Sequence, residues 1–586
     1  MTCLLLADTA PSPGISVMLA LLLFIAASVW LGTMAQKAMT KGKFLEGFFL
    51  GNRGLGAWAL ALTATVQSGG TFMGFPALVY AHGWIVALWI GGYMVVPLTG
   101  FAIVGKRVAQ LSRRTGAVTV PDLLRERFGS PAVGLVASLL IMFFMSFTMV
   151  AQFKAGATIM KLAWPGEGIF ALSEDLQTNI DYRFLIGLAV FSVTVVGYTM
   201  IGGFLASVWT DLFQSVMMVF GVVLLVCLAV PAAGGLEQAN RSAIKNVQDH
   251  QATLTTPPDD SYAASPDAYM FGPGYNAQGR AFLPLGVSIS MFFVWVYAGF
   301  ASPASLIRVM AAQNTEVMRK SIMLLSIYNC LIYVPLVVIC ICARAVLGNI
   351  DKADEIIPRM SLHVTRDLPF GSFLSGLILA APFGAIMASV SCFVLVIASG
   401  LVQDIYVRFL RPNAGGRELR LATSAAMIAV GIIGVVANLR PINFLQALVV
   451  FSGSAGAAAF VTPVLMACYW RKATKGGMLA GMLIGFGAYF GLYATGWVHN
   501  WALAAGAEQA PEIAATVIAW LGPDSKVGIA SAFRPYFLWG LDPILWGLLA
   551  SAVAGIGVSL ITRPPSAELV SRMFDAAQPK HALRVG

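Results

Sequence analysis

Charged residues are scarce in this chain, and their scarcity excludes a soluble globular protein. Asp, Glu, Lys and Arg make up 11% of the 586 residues, against about 25% in soluble domains. Hydrophobic residues make up 58%, and the mean hydropathy is +0.79. We therefore predict an all-α integral membrane protein, because apolar runs of this length are typical of membrane-spanning helices.

Cysteine and histidine are also rare, and neither has the spacing of a metal site. The seven cysteines fall almost entirely within apolar segments, which argues against a disulfide framework. None of the five histidines lies in mid-span, so none is a good proton relay.

Several classes of membrane protein are disfavoured because the sequence lacks the motifs that they need. No nucleotide-binding motif occurs in a cytoplasmic loop, which disfavours an ATP-driven pump. A channel needs a continuous polar pore lining, and a sensor needs a cytoplasmic signalling domain. The sequence shows neither, and it contains no cluster of catalytic residues, so we predict that the chain is not an enzyme.

What the sequence does contain is apolar runs of about 20 residues, the length that crosses a bilayer. We count thirteen. They begin near Ile15, Ala57, Trp84, Val133, Phe184, Ser207, Phe282, Ser321, Gly371, Leu421, Phe444, Gly476 and Leu541. No basic cluster precedes the first run, so we predict a retained span and not a cleaved signal.

Lys and Arg are concentrated in alternate loops, and this predicts the orientation in the plasma (cell inner) membrane. Loops such as 106–127, 308–320 and 408–420 are basic, which places the N-terminus outside and the tail from Arg563 in the cytoplasm. The net charge of +10 then follows from topology and requires no nucleic-acid partner. Membrane lipid and a small molecule are the expected partners, and monomer and homo-oligomer both stay open.

Two of the runs are interrupted by glycine and polar residues. The run from Ala57 to Tyr80 contains the sequence TATVQSGGT at 63–71, and the run from Phe282 to Leu306 is broken near Ser302. Backbone polar groups freed at membrane depth must be satisfied, so broken spans usually line binding cavities. Five spans separate the two starts, which gives the two units opposite topology and suggests an inverted repeat. We predict a secondary transporter.

Seven short strings, in order along the chain, resemble the sodium/solute symporter family. They are FLGNRGLG at 49–56, TAT at 63–65, MGFP at 73–76, GGFLASVWTD at 202–211 followed by Gln214, LAAP at 379–382, AIM at 385–387 and DIY at 404–406. The pantothenate branch of the family is most similar, and the proline branch comes next.

The resemblance implies a core of two inverted five-helix repeats, formed by spans two to six and seven to eleven, with discontinuous helices. The predicted ranges are 1–36 for the first span, 57–230 and 282–470 for the repeats, 231–281 for an extracytoplasmic loop, 471–562 for the last two spans with an insertion at 499–537, and 563–586 for the cytoplasmic tail.

The resemblance also implies one bound Na+, the coupling ion, between spans two and nine. Carried onto this chain, its ligands are the carbonyl oxygens of Ala64, Gln67 and Ala385 and the side-chain oxygen of Ser389. A hard cation prefers several such oxygen ligands. Ala388 stands where a second hydroxyl is usual, which leaves weaker Na+ binding, a water ligand or proton coupling as alternatives.

Gln152 and Lys154 lie in the outward half of span four and are candidate substrate-binding residues. One hypothesis is that Lys154 faces the cavity and attracts a substrate carboxylate. The alternative is that its ammonium group extends to the membrane interface, as long basic side chains near helix ends do.

Further candidates come from the broken spans and from aligned positions of the proline branch. Trp295, Gly299 and Cys392 align with its substrate pocket, although ordinary helix packing also accounts for them. The break itself presents hydroxyls and free amides to an anionic solute. The residues concerned are Ser68, Gly69, Gly70 and Thr71.

Asp211 lies within an apolar span, where an isolated charge is costly and calls for a partner or water. The resemblance implies an acid on the cytoplasmic Na+ path, and the alternative is a helix-capping carboxylate. Arg308, at the cytoplasmic end of span seven, is interpreted as a topology anchor.

Together these features predict Na+-coupled symport of a small organic solute by alternating access. The substrate favoured is a monocarboxylate such as pantothenate. Proton coupling of a similar solute and symport of an amino acid such as proline remain alternatives.

Overall fold

The computed structural model describes residues 14–38, 48–64, 68–164, 181–253, 265–272, 283–350, 352–440, 445–522 and 533–575. These residues form a bundle of helices without a β-strand, as the composition predicts. The helices of the first half are α1 Ile15–Ala38, α2 Ala57–Ala64, α3 Phe75–His82, α4 Ala87–Val96, α5 Lys106–Thr115, α6 Val120–Phe128, α7 Pro131–Ala163, α8 Tyr182–Ala232 and α9 Leu236–Thr253.

In the described residues of the second half there are twelve more helices. They are α10 Leu285–Ala301, α11 Pro303–Met310, α12 Thr315–Leu347, α13 Ile356–Val364, α14 Gly371–Ser399, α15 Gly416–Ala437, α16 Leu445–Tyr469, α17 Lys475–Leu503, α18 Ala505–Gln509, α19 Pro511–Leu521, α20 Pro543–Ile561 and α21 Ala567–Phe574. In the described residues ten helical stretches are long and apolar enough to cross a membrane. Two predicted spans are discontinuous and two share α8, so the count of thirteen stays a prediction.

Helix α8 has 51 residues, about 76 Å at 1.5 Å per residue, which is far longer than a membrane span of about 30 Å. The chain turns at Gly203, whose φ of 57° and ψ of −148° are not helical. A Cβ atom there would lie 2.7 Å from the ring of Phe48. Glycine therefore allows both the left-handed backbone and the close approach of the aromatic ring.

Both predicted breaks are present in the described residues. In the first, α2 ends at Ala64, and the chain resumes at Ser68 to form a π-helical turn over Gly70–Gly74 and then α3. Residues 65–67 lie outside the described residues. In the second, Ser302 is extended between α10 and α11, and Pro303 opens the new helix, a position where proline loses no hydrogen bond.

The start of the first broken span contacts the end of the second. The segment before α2 meets the segment after α11, where the Leu55 amide donates to the Ala311 carbonyl at 3.1 Å and the Gln313 amide donates to the Leu55 carbonyl at 3.1 Å. The start of one broken span therefore lies beside the end of the other, as units of opposite topology require.

Helix α14 lies at the centre of the bundle. Of its most apolar stretch, 94% is buried within the protein, and it packs against α1, α7, α8, α11 and α15. From Gly400 to Leu410 the chain continues as a π-helix, a winding found often at functional sites.

One end of the bundle is rich in arginine and is called here the basic end. It is formed by α5, α6 and the loop between α16 and α17. Helix α21 packs on it, and the Phe574 ring lies 4.8 to 5.6 Å from the guanidinium carbons of Arg107, Arg127 and Arg471. Arg114 donates to the carbonyls of Met573 and Asp575, both at 2.8 Å.

The bend in α8 provides a test of the fold. We expect Gly203→Ala to lower the thermal midpoint of the purified protein, because a left-handed alanine costs about 1–2 kcal/mol before the contact with Phe48 is counted. Gly197→Ala is the matched control, since it lies in the same helix with open space around it. Equal midpoints for the two variants would contradict this account of the bend.

Candidate functional site

The two breaks face one cavity of about 1070 Å³, open space included. The first break contributes Ser68, Gly70 and Thr71, and the second contributes Gly299, Ser302 and Pro303. The rest of the wall comes from α3, α4, α7, α10, α11, α12, α14 and α16.

Most backbone amides at the first break are already hydrogen-bonded. The Gly69 amide donates to Gln152 Oε1 at 2.6 Å, and the Gly70 amide donates to Ser68 Oγ at 3.1 Å. The amides of Thr71 and Phe72 donate to the Ser68 carbonyl at 2.9 and 3.1 Å. The prediction that the break presents free amides to a solute is therefore not met in this structure. The Ser68 and Thr71 side chains do line the cavity.

An aromatic wall stands opposite the break. Tyr333 shares a 3.2 Å hydrogen bond with Thr71 Oγ1, and its ring centroid lies 4.5 Å from that of Tyr93. The Tyr93 ring in turn meets Trp295 edge-on at 5.7 Å. The predicted residue Trp295 therefore belongs to the cavity wall, together with two tyrosines that sequence reasoning missed.

Gly299 also lines the cavity, and close packing against Val96 explains why a glycine stands at this position. A Cβ atom at Gly299 would overlap the Val96 side chain. The glycine thus allows α10 and α4 to pack closely, and the space it leaves is filled by Val96 and not by a solute.

The first break contacts α14 beside two of the predicted cation ligands, Ala385 and Ser389. A Cβ atom at Gly69 would lie 3.4 Å from Ile386 Cγ1, next to Ala385 on the central helix. Ser389 Oγ donates to the Ile386 carbonyl at 2.9 Å and to Gln152 Oε1 at 3.2 Å. Ala385, Ala388 and Ser389 are all buried.

Not every member of the predicted cation site is described. Ala64 ends α2, and Gln67 lies outside the described residues. Gln152 joins the group because its Oε1 accepts from both Gly69 and Ser389, while its buried Nε2 has no hydrogen-bond partner among the described residues. Gln152, predicted as a substrate residue, is therefore the link between the break and the central helix.

Lys154 is not among the residues that line the cavity. Its ammonium group lies 2.9 Å from Asp354 Oδ2, and the two side chains are 13% and 10% exposed. Asp354 lies in the segment between α12 and α13. Its partner Lys154 lies on α7, about 35 Å from the start of that helix at the basic end, at 1.5 Å per residue. Neither the substrate hypothesis nor the interface alternative anticipated this buried ion pair.

Asp211 and Cys392 meet Arg308 in the middle of the bundle. Arg308 Nη2 pairs with Asp211 Oδ2, and Nη1 donates to Cys392 Sγ at 2.9 Å. Ser207 Oγ donates to Asp211 at 3.3 Å. Asp211 and Arg308 are each 2% exposed, so Arg308 is a buried ion-pair partner and not a topology anchor at the surface. Cys392 does not line the cavity.

Comparison with known proteins agrees with this arrangement. The family model of the sodium:solute symporter family matches residues 48–485. The chain belongs to the sodium:solute symporter family. Its members couple solute transport to sodium, so this chain is a multi-pass, sodium-coupled solute symporter, and the resemblance seen in the sequence is confirmed.

Individual relatives in this family are more distant. The sodium/pantothenate symporters of Haemophilus influenzae and Escherichia coli are 27% and 28% identical, over 81% and 82% of this chain and 90% and 91% of theirs. The sodium/proline symporter of E. coli is 24% identical over 95% of this chain and 96% of its own. A solved Na+-coupled sialic acid symporter in an outward-open state is 17% identical, with a TM-score of 0.65 over 94% of this chain and 99% of its own.

In this symporter one further cavity residue escaped sequence reasoning. Gln446, in the first turn of α16, lines the cavity beside Gly70. Its side chain is buried, and its Oε1 has no hydrogen-bond partner among the described residues. A glutamine at the start of an apolar span was the signal that could have found it.

The Lys154 ion pair yields the second prediction. We expect Lys154→Gln and Asp354→Asn each to destabilise the symporter, and the double variant to lose less than their sum. A coupling of about 1–3 kcal/mol is typical of residues in direct contact. Lys161→Gln is the control, because Lys161 lies on the same helix and pairs with the half-exposed Asp181.

Thermal midpoints and uptake kinetics of the three variants and the control separate the two hypotheses. A higher KM for an anionic solute in Lys154→Gln alone, with Asp354→Asn unaffected, would support the substrate role of Lys154 and contradict the structural one.

Proposed function

We propose that the chain imports a small organic monocarboxylate, such as pantothenate, together with Na+. The observation that carries the proposal is the shared cavity at the two breaks, joined through Gln152 to the predicted cation ligands on α14. Both breaks then respond to the same solute and ion, as coupled transport requires.

The chemistry of the cavity supports a solute with several hydrogen-bonding groups. Its polar side chains are hydroxyls, the amide of Gln446 and the indole of Trp295, and none of its described lining residues is Lys, Arg, His, Asp or Glu. The hydroxyls come from Ser68, Thr71, Tyr93, Thr148, Ser302, Ser305, Tyr333 and Ser452. A carboxylate here is held by hydroxyl donors near a half-helix start, and Gln446 Oε1 accepts from a hydroxyl or amide of the solute.

The names of the relatives support the same substrate class. The relatives include two sodium/pantothenate symporters and several proline symporters. Proline remains the second candidate.

The cation site proposed consists of the carbonyls of Ala64, Gln67 and Ala385 with Ser389 Oγ, supported by Gln152. Ser389 lies one helical turn beyond Ala385 on α14, so the two face the same side. Ala388 supplies no hydroxyl, and the Gln152 amide oxygen next to Ser389 is the oxygen available in its place.

The orientation proposed places the basic end in the cytoplasm of a cell with this symporter in its plasma membrane, following the positive-inside rule. The N-terminus is then outside and the C-terminal tail inside. The ranges 57–230 and 282–470 form two repeats of opposite direction, supported by the contact of Leu55 with Ala311.

The third prediction tests transport itself. Purified protein in liposomes should accumulate labelled pantothenate when Na+ is outside, and not when choline replaces Na+ at the same pH. A panel with proline, lactate and a sugar measures selectivity. Uptake that follows a proton gradient and ignores Na+ would overturn the proposal.

The fourth prediction concerns the cation ligand. We expect Ser389→Ala to raise the Na+ concentration for half-maximal uptake about tenfold, the effect of losing roughly 1.4 kcal/mol of binding. Ser375→Ala is the matched control on the same helix, since that hydroxyl bonds only the Ser372 carbonyl. Equal Na+ dependence in both variants would argue against Ser389 as a ligand.

The fifth prediction concerns the solute. Gln446→Leu should raise the KM for solute several-fold and leave the Na+ dependence unchanged, because the side chain lies in the cavity and away from Ser389. Uptake kinetics at saturating Na+ measure this. An unchanged KM for every solute in the panel would remove Gln446 from the binding site.

A further inference from the structure

The two breaks differ in how they satisfy the first backbone amides of the helical segment that follows. After the first break, every amide from Ser68 to Phe72 donates to an acceptor within the protein. After the second break, the first backbone bond of α11 in the described residues runs from the Leu306 amide to the Ser302 carbonyl, at 2.9 Å. A capped start and an uncapped start therefore face the same cavity.

The start of α11 lacks a cap of its own. Ser302 is the N-cap residue, and its side chain forms no capping hydrogen bond. Pro303 has no N–H. The amides of Ala304 and Ser305 come next, at the second and third helical positions, which an N-cap oxygen usually satisfies. The usual acceptor for these two amides is therefore missing.

This uncapped start opens on the solute cavity, because the four residues from Ser302 to Ser305 all line it. Ser305 is only 8% exposed, yet its hydroxyl has no hydrogen-bond partner among the described residues. Two backbone amides and one buried hydroxyl, all of them donors, thus lie together at the second break.

The charges nearby do not oppose an anion at this place. None of the described residues that line the cavity is acidic. Arg308 lies one turn further along α11, and its guanidinium pairs with Asp211 of α8 inside the protein. A helix start attracts anions through its dipole and its free amides, and a carboxylate brings the two acceptor oxygens that these donors require.

The first break is a poor place for the same carboxylate. Its amides are already bonded, and an acceptor lies beside it, because a Cβ atom at Gly70 would lie 3.3 Å from Gln446 Oε1. That oxygen is buried without a hydrogen-bond partner among the described residues. It attracts an N–H or O–H group of a solute and repels a carboxylate. The cavity therefore has donors at the second break and an acceptor at the first.

We propose that the start of α11 is the carboxylate site of the symporter. The amides of Ala304 and Ser305 and the Ser305 hydroxyl donate to the carboxylate of the solute, whose own donors face Gln446. The proposal rests on the proposed function and deepens it, since it assigns the anion to the second break and to backbone donors. The symporter then distinguishes an acid from the corresponding alcohol without a basic side chain.

Displacement of labelled pantothenate from the purified full chain, in detergent with NaCl, tests the site. The competitors are pantothenate and pantothenol, which carries a primary alcohol in place of the carboxylate. We expect the wild type to prefer the acid about tenfold, because hydrogen bonds to a charged acceptor are the stronger ones.

Two variants should change this preference in different ways. Ser305→Ala should lower it several-fold, because one donor is lost. Ser302→Asp should abolish it, because the new carboxylate caps the two amides and repels the acid. Ser326→Ala is the control and should match the wild type, since Ser326 lies on α12 outside the cavity lining and bonds only the Ile322 carbonyl.

The outcomes separate the site from the proposed function. Equal affinity of the wild type for acid and alcohol, or an unchanged preference in both Ser305→Ala and Ser302→Asp, overturns the carboxylate site. Aspartate is a good N-cap residue, so the thermal midpoint of Ser302→Asp should not fall, and Ser305→Ala gives an answer if it does.

A second pair of probes covers the other candidate solute. If labelled pantothenate does not bind, labelled proline is displaced by proline and by prolinol in the same variants, and no binding of either acid overturns the site. Uptake into liposomes that ignores Na+ would refute the proposed function alone, because the displacement measurement needs no gradient.

Discussion

The structure depends on how the first broken helix satisfies its backbone far from water. An unpaired amide in an apolar interior costs several kcal/mol, and the bond from the Gly69 amide to Gln152 Oε1 removes that cost. The same oxygen accepts from Ser389. One side chain therefore fixes the break, the central helix α14 and helix α7 relative to each other.

Three ion pairs join the first half of the chain to the second, and they range from the fully buried pair of Asp211 to the pair of Asp122, whose partner Arg408 is 32% exposed. Lys154 pairs with Asp354, Asp211 with Arg308, and Asp122 with Arg408. They lie toward the far end, in the middle and at the basic end of the bundle. The desolvation of the charges offsets most of the attraction within a buried pair, so its net contribution to stability is small. Removing one partner is destabilising, because the other charge is then buried without a counter-charge. Such pairs fix the register of the two halves, and opening either end requires separating or rehydrating the pair at that end.

Much of the fold could be predicted from the sequence. Helices that cross a bilayer must be long and apolar, and a broken span contains glycine, serine and proline within its apolar run. The breaks near Ser68 and Ser302 were found in this way. The family was recognised from seven short sequence strings in a fixed order along the chain, and hydrophobic periodicity alone does not identify a family. The sequence predicts a new span from near Ser207, and the structure places the turn between the two spans at Gly203.

The remaining parts of the site depend on contacts between distant residues. Lys154 and Asp354 are 200 positions apart, and Asp211 and Arg308 are 97 apart, so no local pattern pairs them. The sequence analysis considers Lys154, Asp211 and Arg308 one at a time, and it predicts none of these ion pairs. Tyr93 and Tyr333 escaped for a related reason, since aromatic residues in apolar spans are most often ordinary packing.

Helix α21 joins three separate segments of the basic end. Its Phe574 ring contacts arginines from α5, from α6 and from the loop between α16 and α17, and Arg114 of α5 donates to the carbonyls of Met573 and Asp575. Any relative movement of these three segments must therefore change the contacts that each of them makes with α21.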